Sequence, residues 1–190
     1  MSTTLRIRQF IANLPQALIF STRDLLNFGT RAAVDQCLCR LVRKGNIRRL
    51  AWGLFIRNDP DVPIPSTIAI AKEKARAFGR QIITDASEAA RLLGLIVSSN
   101  LTTTYATNGR SSSFKVNESR IYLQGISARK MALGDGSVGL AVRALWKLGK
   151  TACGMKEIEK ATSTFDHLEH QKFKQSRHLM PFWMTNLLPA

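Results

Sequence analysis

Acidic residues are few in this sequence. Its 190 residues hold 13 Asp and Glu against 28 Lys and Arg, a formal net charge of +15. A surplus of that size points to a polyanionic partner, with nucleic acid first and an anionic membrane surface second, against a merely soluble basic protein. Long apolar runs are missing as well. No stretch approaches the about 18–20 apolar residues that a bilayer span needs, so no membrane-spanning segment is expected. The opening segment MSTTLRIRQFIANLP has basic residues but no continuous apolar stretch and no small-residue cleavage site, which argues against a secretory signal. Cysteine is sparse and odd in number, and Cys37 and Cys39 sit too close for an ordinary structural pair. Reduced thiols in a cytoplasmic protein are expected. The hydrophobic fraction of 45% and charged fraction of 22% exclude wholesale disorder.

Catalytic constellations are also lacking. The sequence has no P-loop and no G-x-S-x-G. No Asp or Glu stands two residues before a lysine, so the D/E-x-K ending of nuclease cores is absent. There is no CxxC and no Cys/His cluster of zinc spacing. His167 and His170 lie three apart beside Asp166 and Glu169, but no third spaced ligand joins them, and the stretch reads as a solvated helix face. Cys39 faces outward with only nearby arginines to activate it. The expectation is a protein with no catalytic residues, no metal and no cofactor.

What is present is a division and a pattern. Pro60, Pro63 and Pro65 fall within six residues, remove amide donors and disfavour helix before each ring. Segment 59–65 is therefore expected to link a unit at 1–58 to a second at 66–190. Residues 1–60 carry 10 Lys/Arg against 3 Asp/Glu, nearly half the charge surplus in under a third of the chain.

Apolar spacing over 5–14 predicts a first helix, and 18–20 a short extended piece. Ser21 and Asp24 form an S-x-x-D start that resembles a capping box, and Gly29 sits at the expected C′ position of that second short helix. Thr30 caps a third helix, in which Val34, Cys37, Leu38, Leu41 and Val42 make an i, i+3, i+4, i+7, i+8 stripe ended by Gly45. Segments 47–50 and 54–57 then flank Ala51-Trp52-Gly53 as a β-hairpin. Helix, turn, helix and hairpin in that order predict a winged helix-turn-helix.

The second unit is expected to be mixed α+β, giving an α+β protein throughout. Helices are predicted over 66–78, 86–93, 137–148, 155–161 and 165–179, and strands over 81–84, 102–107, 112–116 and 120–124. Lys72, Lys74, Arg76 and Arg80 add positive charge to the first of those helices. Asn108-Gly109 between two strand candidates is a type I′ hairpin signal. The apolar tail at 180–184 reads either as a closure of the core or as a docking surface.

Subtracting the buried stripe from the third helix leaves Thr30, Arg31, Ala32, Asp35, Gln36, Cys39, Arg40 and Arg43 facing outward. Recognition helices place such residues against base edges in the major groove. Arg31 and Arg40 are candidates for guanine O6 and N7, and Gln36 for adenine N6 and N7. Arg43 and Lys44, at the helix end, suit phosphate. Arg48, Arg49 and Trp52 are the hairpin's candidates, one arginine for the minor groove and the other for the backbone.

Two stretches carry a family resemblance. Leu38-x-Arg40-Leu41 followed by Gly45-x-Ile47-x-Arg49-Leu50-x-x-Gly53-Leu54-Phe55 resembles the N-terminal domain of AbiEi-type antitoxins of type IV toxin–antitoxin systems. Ala89-Ala90-x-x-Leu93-Gly94-Leu95, with Tyr105-Ala106-Thr107-Asn108-Gly109-Arg110-Ser111, is similar to AbiEi-like proteins of bacterial chromosomes and mobile elements. The resemblance spans roughly 5–125 and is weak over 126–190. Phe55 stands where a tyrosine is usual, and Trp52 where a basic residue is common. The resemblance implies an N-terminal domain that binds and represses its own promoter. It also implies a C-terminal domain that opposes a nucleotidyltransferase-like toxin. The alternatives are a toxin-free regulator of a mobile element, as repressor or activator, and a DNA-processing enzyme built on the second unit.

Overall fold

The structure is a computed structural model and describes residues 2–97 and 102–188. The fold is mixed α+β and divides into two compact units. The first comprises 1–81 with 113–121, and the second 82–112 with 122–190. Among the described residues, no helix is long and apolar enough to cross a membrane.

The first unit begins with helix α1 (Thr3–Ala12), strand β1 (Ile19–Ser21) and a 3₁₀ helix (Thr22–Phe28). Helix α2 (Arg31–Arg43), strands β2 (Ile47–Ala51) and β3 (Leu54–Arg57), and helix α3 (Thr67–Arg76) follow. The three strands form an antiparallel sheet of order β1-β3-β2, with Phe20 opposite Phe55 and Arg49 opposite Phe55. Ile7 and Ile11 of α1, Leu25, and the α2 stripe of Val34, Cys37, Leu38 and Leu41 bury against Phe20, Ile47 and Phe55. The Phe20 and Phe55 rings stack with centroids 5.9 Å apart.

The predicted second helix is a 3₁₀ helix rather than an α-helix. Its Ser21–Asp24 start is present: the Asp24 carboxylate accepts the Ser21 N–H at 2.7 Å and the Ser21 hydroxyl at 2.9 Å. Gly29 does not act as a left-handed C′ residue, because its backbone is extended. Its smallness serves a close approach instead, since an added Cβ would lie 2.7 Å from Thr3 Cγ2.

The Pro-rich segment 59–65 lies inside the first unit, which continues through α3 to Gln81. Hydrogen bonding accounts for this. Arg48 Nη2 donates to the Val62 carbonyl at 2.9 Å. Arg57 Nη1 donates to the Ala12 and Leu14 carbonyls at 3.0 and 2.9 Å, while its Nε meets Asp59 at 2.6 Å. Arg23 Nη1 donates to the Ala77 carbonyl at 2.6 Å, and Arg76 Nη2 meets Asp24 at 2.9 Å.

The chain past 81 carries β4 (Ile82–Thr84), α4 (Ala86–Leu92), β5 (Thr103–Thr107), β6 (Ser112–Val116) and β7 (Ser119–Gly125). Of these, 113–121 groups with the first unit. Helices α5 (Ala128–Met131), α6 (Ser137–Leu148), α7 (Met155–Thr162), α8 (His167–Gln175) and α9 (Phe182–Thr185) complete it, with a 3₁₀ turn (Ser176–Leu179) before α9. Ala89 and Ala90 of α4 meet Ala144 of α6, where small side chains let the helices approach closely. Met180 and Met184 of the apolar tail are buried with Phe173, Leu145 and Ile158, so this part of the tail closes the core.

The expected Asn108-Gly109 hairpin does not form. The sheet order is β4-β5-β7-β6, which places β7 between the two strands that were to pair. The reason is burial. Strand β7 buries Ile121 and Leu123, whereas β6 exposes Ser112, Ser113 and Lys115, so β7 takes the inner position and β6 the edge. The left-handed residue is Asn117, between β6 and β7, and Gly109 is not left-handed. Segment 108–111 instead passes against the end of β7, where Gly125 N donates to Ser111 Oγ at 3.0 Å. A Cβ on Gly125 would stand 2.6 Å from the Gly109 carbonyl oxygen.

Two substitutions probe these arrangements. Gly125→Ala drives a methyl into backbone and is expected to cost about 1–3 kcal/mol, read as a lower urea midpoint. An unchanged midpoint would remove the close approach from the account. The second concerns Asp24. Burial by itself raises this carboxyl, but its bonds to Ser21 and Arg76 outweigh burial and hold it below the ordinary carboxylate range. A folded pKa below the unfolded one, about 3.9, means that ionised Asp24 stabilises the fold above that pH. The contribution fades as pH falls through the depressed value. Asp24→Asn is therefore expected to destabilise at pH 7, with the gap from the parent closing toward pH 2 in urea titrations. A gap independent of pH would contradict the assignment.

Candidate nucleic-acid interface

The first unit concentrates the positive charge. It holds 16 Lys/Arg against 6 Asp/Glu, a net of +10, whereas the second holds 12 against 7, a net of +5. Four of the six acids in the first unit are tied up in ion pairs: Asp24 and Glu73 with Arg76, Asp35 with Arg31, and Asp59 with Arg57. The unit therefore keeps a net positive charge outside these pairs.

Helix α2 presents one group of them. Thr30 caps it, with Oγ1 accepting the Ala33 N–H at 3.4 Å. Its buried stripe fixes which side faces out. At 3.6 residues per turn, Gln36 and Arg43 lie seven apart along the middle of the outward face, and Arg31 and Arg40 fall on its two edges. Gln36, Arg40, Arg43 and Lys44 are exposed, and none of these three cations has an acidic partner among the described residues. Arg31 is exposed but paired: its Nε meets Asp35 at 2.8 Å across one helical turn. Exposed i,i+4 pairs contribute only about 0.3–0.5 kcal/mol, so a phosphate or a base edge can recruit this guanidinium at small cost. At the far end of α2, Lys44 and Arg8 line an open concavity of about 580 Å³ with Asn46, Arg57 and Asn58.

The hairpin presents the second group, and here the alternation of a strand decides. Arg48 and Arg49 point to opposite faces of β2. Arg48 is half-buried and bound to the Val62 carbonyl, which takes it out of the exposed set that the sequence suggested. Arg49 is exposed, with its guanidinium carbon 5.5 Å from the ring centroids of both Trp52 and Phe55. Trp52, at the hairpin tip, is 76% exposed. The tip is held in place by two bonds: Thr22 N donates to the Gly53 carbonyl at 3.0 Å, and Lys74 Nζ donates to the Trp52 carbonyl at 2.5 Å. Burial pushes the Lys74 ammonium below its ordinary pKa.

Of the sequence-based candidates, the structure presents Thr30, Arg31, Gln36, Arg40, Arg43 and Lys44 on or beside one helix face, and Arg49 and Trp52 at the hairpin. Arg8 and Lys74 were not among them. Lys74 was legible only as charge on a helix, because its tie to the hairpin tip joins residues 22 apart in sequence. Among the described residues, no group of three or more His, Cys, Asp or Glu is placed to hold a metal ion.

Arg48 and Arg49 should separate cleanly in experiment. Arg48→Ala removes a half-buried hydrogen bond and is expected to lower stability by about 1 kcal/mol in a denaturant titration. Arg49→Ala removes an exposed side chain and is expected to change stability by less than half of that. Equal effects would mean that the two side chains are not divided between the faces of β2.

No curated protein matches this sequence. A family model described as a family of unknown function (DUF6088) matches residues 6–173, most of the chain. Both compact units fall largely within the matched region, and the chain belongs to this family of unknown function, DUF6088.

Proposed function

We propose that this protein is a sequence-specific DNA-binding transcriptional regulator whose first unit acts as a winged helix-turn-helix. The supporting observation is the outward face of α2. Gln36, Arg40 and Arg43 stand there over a buried stripe, without acidic partners among the described residues, in a unit of net charge +10. A helix of this kind can lie in the major groove with Gln36 on adenine and an arginine on guanine. Lys44 and Arg8 then suit phosphate, and Arg49 with Trp52 reaches the adjacent backbone or minor groove.

The resemblance of the α2–hairpin stretch to AbiEi-type antitoxins favours a more specific role. In that role the protein represses its own promoter in the cytoplasm, and its second unit opposes a nucleotidyltransferase-like toxin. Neither job calls for a catalytic residue or a cofactor.

The decisive experiment is a titration on duplex DNA from upstream of the gene against scrambled duplex, at two salt concentrations. A preference of about a thousandfold or more is expected for a specific regulator. Equal, steeply salt-dependent affinity for both duplexes would refute sequence-specific regulation. Arg40→Ala is expected to relax base preference and cost about 1–3 kcal/mol on the preferred site. A uniform loss on all sequences would assign Arg40 to phosphate. Arg49→Ala is expected to flatten the salt slope by about one unit, and an unchanged slope would take the hairpin out of the footprint. Co-expression with the neighbouring gene product tests the antitoxin role: rescue of growth supports it, and toxicity unaffected by this protein opposes it.

A further inference from the structure

The first unit has an aromatic and basic face that a duplex reader does not require. Phe78, just beyond α3, is 56% exposed. Three cations surround its ring: Lys74 Nζ at 5.4 Å, the Arg23 guanidinium carbon at 5.6 Å and that of Arg80 at 5.9 Å from the centroid. Arg23 is held there by its bond to the Ala77 carbonyl, and Lys74 by its bond to the Trp52 carbonyl. Lys74 also lies 5.9 Å from the Phe114 ring. It therefore stands between Phe78 and the hairpin tip, where exposed Trp52 carries Arg49. Glu73 and Asp24, the acids next to Lys74 and Arg23 in sequence, are both bound to Arg76, which offsets one of their two charges.

We infer that this face binds single-stranded nucleic acid, with unpaired bases stacking on Phe78 and Trp52 and the flanking cations tracking the phosphates. Two exposed rings set among four cations match what an unpaired strand offers, namely an open π-face and a charge at each nucleotide. A duplex keeps its base faces stacked on one another and leaves such rings without a partner. The inference holds whether or not α2 reads duplex DNA. Trp52 and Arg49 serve both readings, so the discriminating variants are Phe78→Ala and Arg40→Ala.

The test uses the full chain with labelled oligo(dT) and oligo(rU) of about twelve nucleotides, within the usual range of site sizes. Inorganic polyphosphate of matched charge is the base-free control. Oligo(dT) or oligo(rU) is expected to bind at least about tenfold tighter than polyphosphate and to quench indole fluorescence. Whichever strand binds tighter names the source, DNA or RNA. The quench should largely vanish in Trp52→Phe, although Trp146 and Trp183 remain. Phe78→Ala is expected to weaken single-strand binding about tenfold while sparing the melting temperature and duplex affinity, and Phe78→Tyr should restore it. Arg40→Ala should spare single-strand binding whatever it does to the duplex. Polyphosphate binding as tightly as the oligonucleotides would overturn the inference. So would an unchanged affinity in Phe78→Ala, or a quench that persists in Trp52→Phe.

Discussion

Burial of one side of α2 orients the rest of the first unit. Val34, Cys37, Leu38 and Leu41 can leave water together only if the helix lies against α1 and the stacked Phe20–Phe55 pair. Each of these side chains contributes roughly 1–3 kcal/mol when fully buried, far more than any surface ion pair nearby. The core therefore sets the rotation of the helix about its axis. Gln36 and Arg43 are turned to solvent as a consequence, and Arg31 and Arg40 are left at the two edges of the same face.

A second constraint follows from the charge distribution. Arginines do opposite jobs in this unit according to whether an acid or a carbonyl is within reach. Arg57, Arg76, Arg23 and Arg48 are drawn into ion pairs and carbonyl contacts that join distant segments. These contacts bring α3 and the Pro-rich segment into the first unit. Three of the six acids in the unit, Asp24, Asp59 and Glu73, are consumed in the process. Among the described residues, Arg40, Arg43 and Lys44 are left exposed without an acidic partner, and they form the centre of the candidate interface. Stability and the candidate interface thus draw on one pool of arginines, divided by tertiary position.

Much of this was legible locally. The stripe in α2, the Thr30 cap, the Ser21–Asp24 start and the Trp52–Gly53 turn are contacts within a few residues, where spacing alone specifies geometry. The outward set on α2 followed by subtraction. Other features were not legible. Arg48 and Arg49 are adjacent and chemically identical, and only the pairing of β2 with β3, together with the nearby Val62 carbonyl, turns one inward. Asn108-Gly109 has the composition of a tight turn, yet β7 outcompetes β6 for the place beside β5 because it has more apolar surface to bury. Lys74 and Phe78 join the surface of the hairpin tip through contacts that no local pattern encodes.

The sequence by itself determined the α+β class, the amphipathic register of α2 and the basic character of the chain, because each depends on residue type and short-range spacing. Tertiary structure alone decided which arginines remain exposed, where the first unit ends, and that Trp52 and Phe78 share a lysine. These outcomes depend on which distant carbonyl, carboxylate or ring comes within about 3–6 Å once the core has formed, and that proximity is a property of the packed chain.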